Sequence, residues 1–275
     1  MRKILLSGFA LALLSVAPAI AADLKLKAPP KPVVPAFTWT GFYVGGNVGA
    51  AINNSSFELD PSGCFVLGAG CGVGGLAANP FRTFAGSLRQ SAFTGGGQVG
   101  YNQQFGSVVA GIETDLNYDG ISQSITMTPA LSGPLLGAFP VVGFSQKLDW
   151  FGTLRARLGF APADRWLVYA TGGLAYGHVS STTNVLFPRS CCGGDNYVGS
   201  TSSTRAGWTA GGGVEWAFIN NWSAKLEYIY VDLGSFNYLD PIINAAALGF
   251  PTNVSYTTNE TMREHVVRVG VNRHL

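Results

Sequence analysis

Along most of this 275-residue chain the dominant regularity has a period of two. In 40–51, Phe42, Val44, Val48 and Ala50 share one face, and Tyr43, Gly45, Asn47 and Gly49 share the other. That is the alternation of a strand meeting two different environments. Segment 107–118 repeats it: Val108, Ala110, Ile112, Leu116 and Tyr118 alternate with Val109, Gly111, Glu113, Asp115 and Asn117. The same period predicts strands at 91–103, with Phe93, Val99 and Tyr101 on one face, and at 147–160. There Leu148, Trp150, Leu154, Leu158 and Phe160 oppose Asp149, Thr153, Arg155 and Arg157. A strand at 166–179 has two almost equally apolar faces. In 205–218, Trp208, Ala210, Val214, Trp216 and Phe218 oppose Arg205, Thr209 and Glu215. In 222–233, Trp222, Ala224, Leu226, Tyr228 and Tyr230 oppose Lys225 and Glu227. In 264–275, Val267, Val269 and Val271 oppose Arg268, Gly270 and Asn272.

The connections alternate as well. Those at 104–106, 161–165 and 219–221 are short, and those at roughly 52–90, 119–146, 180–204 and 234–263 are long. Short turns at one end and long loops at the other characterise barrels of the bacterial outer membrane. The segments are long enough to cross a bilayer at a tilt. The sequence therefore predicts an all-β fold over 39–275, an eight-stranded antiparallel up-and-down transmembrane β-barrel. An even strand number puts both termini at the short-turn, periplasmic end.

A water-soluble barrel would turn its apolar faces inward and its charges outward. Here the polar faces are sparse in charge, rich in glycine and balanced in sign. Glu113, Asp115, Asp149, Glu215 and Glu227 can meet Arg155, Arg157, Arg205, Lys225 and Arg268, the pairing a buried polar interior requires. Trp39, Phe105, Phe160, Trp166, Trp216, Phe218 and Trp222 gather near the short-turn ends. Tyr118, Trp150, Tyr176, Trp208 and Tyr230 gather near the long-loop ends. Two such belts match the girdles of membrane interfaces.

The N-terminus agrees with export. Arg2 and Lys3 precede an apolar run from Ile4 to Val16, and Ala19-Ile20-Ala21 fits a small-x-small cleavage site. Residues 1–21 read as a signal peptide and 22–38 as a periplasmic linker, extended by Pro29, Pro30, Pro32 and Pro35. Removing Arg2 and Lys3 leaves fifteen basic and fifteen acidic residues, a neutral chain without the footprint of a nucleic-acid binder. Thirty-seven glycines and few charges also argue against a helical protein.

Few residues suggest chemistry. Cys64, Cys71, Cys191 and Cys192 fall in the predicted outer loops, where disulfides are expected. A Cys64–Cys71 bridge with a vicinal Cys191–Cys192 bridge and a cross-loop pairing both remain open. Glycine motifs at 70–75 and 95–100 lack the strand–turn–helix context of a nucleotide site. Asp115 to Gly120 starts like a calcium loop, yet Thr126 stands where the bidentate glutamate belongs. The histidines are His178, His265 and His274, and no nucleophile–base constellation is visible. The reading is therefore no enzyme, no cofactor and no metal.

Trp39-Thr40-Gly41-Phe42-Tyr43-Val44-Gly45-Gly46-Asn47-Val48-Gly49 resembles the opening strand of the bacterial outer-membrane β-barrel domain family, the small OmpA/OmpX-like "porin family" surface proteins. Tyr169 to Gly177, Trp208 to Trp216 and Lys225 to Gly234 resemble its fifth, sixth and seventh strands. Ala22-Asp23-Leu24 is similar to its leader junction. Members typically end on an aromatic that the barrel-assembly machinery recognises. Here Val269 and Val271 keep the pattern, but Arg273 takes an aromatic position and Leu275 replaces the terminal phenylalanine. The resemblance implies an outer-membrane location amid lipid and lipopolysaccharide, a role in envelope integrity, and surface or host contacts through the loops. The alternatives are a narrow channel for small solutes and a lipid-modifying enzyme.

Overall fold

A computed structural model describes residues 37–62, 83–129, 140–187, 195–219, 221–244 and 255–275. The predicted signal peptide and the predicted linker up to Ala36 lie outside the described residues. Eight antiparallel strands close into a barrel in sequence order: β1 (Gly41–Ser62), β2 (Phe84–Phe105), β3 (Val108–Met127), β4 (Val141–Ala163), β5 (Trp166–Leu186), β6 (Asn196–Ile219), β7 (Trp222–Asn244) and β8 (Ser255–His274). The β1–β8 ladder completes the ring, and Leu275 N–H donates to the Phe42 carbonyl at its foot, 2.9 Å away. Closure matters because a strand in hydrocarbon has no water to satisfy an open edge. Gly106 and Asn221, both at φ 64, make the first and third short turns.

The predicted strands all exist, yet all four long connections are shorter than expected. On that side the strands run well past the segments read from alternation. The reason lies in the outward faces. On β1 they read Phe42, Val44, Gly46, Val48, Ala50 and Ile52, then Asn54, Ser56, Glu58 and Asp60. On β5 they run from Trp166 through Leu174 and Tyr176 to His178, Ser180, Thr182 and Asn184. Outward Phe93, Tyr118, Trp150, Tyr176, Trp208 and Tyr230 mark the upper edge of the apolar band. Ten residues of tilted strand, as on β1, make a band about 25 Å tall, the thickness such barrels present to lipid.

Above that edge the polarity of the wall reverses. The outside becomes rich in hydroxyls, while the inside packs Phe57, Leu59, Phe84, Leu88, Val142, Phe144, Val185, Tyr197 and Tyr256 into one cluster. The ladder also divides there. β2 and β3 part above Thr94–Asp119, and β6 and β7 part above Trp208–Asp232 until Tyr197 meets Ile242. Two four-stranded sheets result, β7-β8-β1-β2 and β3-β4-β5-β6, facing each other across that cluster as in a sandwich. Phe57 stacks on Phe144 across it, ring centres 4.2 Å apart. We refer to this extramembrane section as the collar.

At the opposite end Trp39, expected in the outer girdle, is instead wholly buried inside the barrel. Its backbone N–H donates to Gln104 Oε1 at 2.9 Å. Its ring meets Phe37 and His274 edge to face, and Val109, Leu167, Tyr169 and Ala217 complete the cluster. The approach to β1 thus turns into the barrel mouth at the short-turn end and stoppers it. Alternation could not reveal this, because Trp39 precedes the strand.

Within the collar, Glu260 is buried and accepts from Gln146 Nε2 at 3.0 Å. Burial pushes its carboxyl up from the usual 4.5 to about 7, against the hydrogen bond from Gln146 and the Arg205 charge. The folded protein therefore holds this proton where the unfolded chain releases it. The associated stability is complete below about pH 4.5 and is lost as pH rises through about 7. Urea unfolding of the folded barrel in micelles should show roughly 1–3 kcal/mol lower stability at pH 8 than at pH 4.5 from this group. Glu260→Gln, a mimic of the protonated form, should flatten that part of the profile.

Candidate functional site

Alternation on five strands delivers charged side chains to one slice of the interior within the membrane. β3 contributes Glu113 and Asp115, β4 contributes Arg155 and Arg157, and β6 contributes Glu215. β7 contributes Lys225 and Glu227, and β8 contributes Arg268; all of these are buried. Arg155 is the hub. It pairs with Glu113, with Asp115 Oδ2 at 3.0 Å and with Glu227 Oε1 at 3.0 Å. Lys225 Nζ donates to both oxygens of Glu113 at 3.0 Å. Arg268 reaches Asp115 Oδ2 at 2.8 Å and Glu227 Oε2 at 2.6 Å. Arg157 Nη2 donates to Glu215 Oε2 at 2.6 Å, and its guanidinium lies 3.8 Å from the centre of the Tyr169 ring.

Four carboxylates face four cations, so the slice is neutral. Neutrality decides whether such a core can exist, since an unpaired charge in low dielectric is far costlier than a paired one. Neutral groups complete the network. Tyr43 OH donates to Glu113 Oε2 at 2.8 Å and accepts from Arg157 Nη1 at 2.9 Å. Tyr169 OH donates to Glu227 at 3.0 Å, and Thr153 OH donates to Asp115 at 2.8 Å. Glu215 takes Ser223 OH at 2.5 Å and Asn272 Nδ2 at 2.8 Å. The predicted network holds charged residues alone, although alternation puts Tyr43, Thr153 and Asn272 on the polar faces of their strands. Room for them comes from glycine: a Cβ on Gly100 would sit 2.3 Å from Tyr43 Oη, and one on Gly213 2.9 Å from Tyr169 Oη.

Two predicted members do not join. Asp149 is exposed on the outer surface, at a bulge where the β4 ladder slips between Leu148 and Trp150. The extra residue reverses the parity above it, so Leu148 turns inward while Asp149 faces out. Arg205 points inward but belongs to the collar, its guanidinium 4.1 Å from the centre of the Phe236 ring. Two further acids, Asp119 and Glu264, are buried near the upper edge of the band. Both Glu264 carboxylate oxygens lack a hydrogen-bond partner among the described residues.

The remaining positions are soon placed. Cys64, Cys71, Cys191 and Cys192 lie outside the described residues. Asp115 to Gly120, which begins like a calcium loop, is strand, with its acids inside the barrel. Val269, Val271 and Arg273 face outward, with the Arg273 guanidinium 5.7 Å from the Trp222 ring centre, and Leu275 is 76% exposed. His274 is buried under the Trp39 stopper. His265 Nδ1 lies 2.7 Å from Tyr228 OH, and His178 Nε2 lies 3.1 Å from Ser202 OH, both on the outer surface.

Known proteins resemble this chain along most of its length. The family described as outer membrane protein beta-barrel domain matches residues 9–274. The 31 kDa outer-membrane immunogenic protein of Brucella melitensis is 37% identical over 271 residues, covering 92% of each chain. The 22 kDa outer membrane protein of Rhizobium leguminosarum bv. viciae is 31% identical over 209 residues, or 75% of this chain and 70% of its own. Among solved structures, the outer membrane protein OprG from Pseudomonas aeruginosa aligns over 87% of this chain and 99% of its own, at 12% identity and a TM-score of 0.47.

The network makes a quantitative claim about its hub. Arg155→Met would strand Glu113, Asp115 and Glu227 around a missing cation, and should cost about 3–5 kcal/mol. Arg155→Lys keeps the charge but loses the forked geometry, and should fall between the two. Urea unfolding of the three refolded barrels, followed by tryptophan fluorescence, orders them.

Proposed function

The chain belongs to the outer membrane protein β-barrel domain family, and from that premise we propose that it is a non-enzymatic surface protein supporting envelope integrity and offering its four long connections to host or neighbouring surfaces. The observation that carries this reading is the filled interior. From the periplasmic mouth upward it holds the Trp39 stopper, the neutral charge network, an aliphatic layer including Leu148, Val179 and Ile229, and the collar core. A barrel packed with side chains along its axis works through its outer wall and its loops. The Brucella relatives are named immunogenic, which fits connections carried clear of the membrane by the collar.

A narrow channel is the second reading, and the two apolar plugs oppose it. A lipid-modifying enzyme is the third. His178 and Ser202 supply a base and a hydroxyl, but no carboxylate among the described residues hydrogen-bonds to His178 to orient it as a base.

In an outer-membrane fraction the protein should migrate differently on gels with and without boiling, and proteases added to intact cells should cut within the long connections. Planar bilayers should show no stable large conductance; a large open channel would overturn the sealed-barrel reading. The C-terminus gives a separate expectation. Restoring the aromatic pattern with Arg273→Tyr and Leu275→Phe should raise the folded, heat-modifiable fraction, and unchanged insertion would show that the family's end signal is dispensable here.

A further inference from the structure

Two buried acids stand directly above the charge network with no cation of their own. On β8, Glu264 lies four residues above Arg268, and on β3, Asp119 lies four residues above Asp115. The lower pair meets across the interior, Arg268 Nη2 to Asp115 Oδ2 at 2.8 Å. The β8–β1, β1–β2 and β2–β3 ladders keep one register up to Asn53–Glu264 and Thr94–Asp119. The same step along both strands therefore turns Glu264 toward Asp119, which lies within its electrostatic reach. Both acids are buried, and neither forms an ion pair among the described residues; Arg263, beside Glu264 in sequence, is exposed and meets Asp232 at 3.1 Å. Asp119 Oδ1 accepts from Ile121 N–H at 2.9 Å, while Asp119 Oδ2 and both Glu264 oxygens have no hydrogen-bond partner among the described residues. Asn117 Oδ1, two residues below Asp119 on the same face, is a further buried acceptor without one. The β2–β3 ladder ends at Thr94–Asp119, so Asp119 stands at the foot of a seam, and the residues that meet just above it, Ala92 and Gly120, are small.

We propose that Asp119 and Glu264 form a calcium site inside the barrel, reached through the β2–β3 seam. Two unpaired carboxylates facing each other in low dielectric are costly, and one divalent cation cancels both charges together. The slice below reaches neutrality with four cations from the chain. This level has none, and an ion from solution completes it. The free donors are all oxygen, which selects a hard cation. Calcium suits them better than magnesium, because it accepts a bidentate carboxylate and irregular geometry, with water in the remaining positions. The site is built across strands and owes nothing to the loop-like pattern that starts at Asp115. It is also independent of what the long connections contact.

The test uses the full chain without its predicted leader, folded in zwitterionic micelles, stripped with EDTA and dialysed against radioactive calcium at pH 8. The wild type should take up one calcium per barrel with a Kd of roughly 0.1–1 mM, the range of weak calcium modules. Asp119→Asn and Glu264→Gln should each weaken uptake about tenfold or more, and the double variant should abolish it. Glu58→Gln, the loss of an exposed acid on the outer wall, should leave it unchanged. Urea unfolding gives a second readout. In EDTA the double variant should have the higher midpoint, because it lacks the facing charges; saturating calcium should raise the wild-type midpoint and leave that of the double variant in place. Absence of saturable uptake by the wild type would overturn the proposal, as would equal uptake by the double variant, or a wild-type midpoint indifferent to calcium. The last comparison needs no variant, and heat-modifiable migration shows which variants are folded.

Discussion

Four carboxylates and four cations share one slice of a barrel too narrow to hydrate them, and the surrounding architecture answers to that constraint. An eight-stranded barrel leaves an interior just wide enough for side chains. Arg155 therefore cannot retreat to water and must touch Glu113, Asp115 and Glu227 together. The slice is neutral only if all five contributing strands hold their register, because a slip of one residue would carry its charges to the lipid face. The glycines at 100 and 213 follow from the same demand, since Tyr43 and Tyr169 need their space to reach the network. The network is thus a device that specifies register as much as one that stabilises the fold.

The apolar layers on either side protect that arrangement. Below, Trp39 and His274 close the mouth at the short-turn end; above, the aliphatic layer and the collar core separate the charges from the long-connection end. Either seal alone would leave the charges open to solvent from the other end. Sealing explains why a protein of this family with a polar interior reads better as a wall and a platform than as a conduit.

Much of this was legible in the sequence. Eight strands, their order, the balanced interior charges and both aromatic belts follow from alternation and from the positions of turns. What alternation hid has physical causes. A bulge adds one residue and reverses parity, so Asp149 was placed inside and Leu148 outside. The collar escapes a reading by alternation because the sense reverses there: Phe57 and Phe144 point inward, whereas Phe42, Phe93 and Phe160 of the membrane segments point outward. Trp39 looked like a belt residue because nothing local distinguishes a tryptophan facing lipid from one folded back into the mouth. Arg205 had the right parity but the wrong height, and height depends on shear, which the hydrophobic pattern of single strands does not encode.

The division of the collar into two sheets also orders events in time. β3, β4, β5 and β6 are successive hairpins, so their sheet assembles through contacts local in sequence. The other sheet joins β7 and β8 to β1 and β2, and its central ladder pairs Val48 with Val269 across nearly the whole chain. Local contacts form quickly, and distant ones wait on the entropy of loop closure. Zipping β8 onto β1 is then the late step. The interior network, in which Arg268 already sits beside Glu227 but reaches Asp115 only when the ring closes, the seating of the stopper against His274 and the second half of the collar all depend on it.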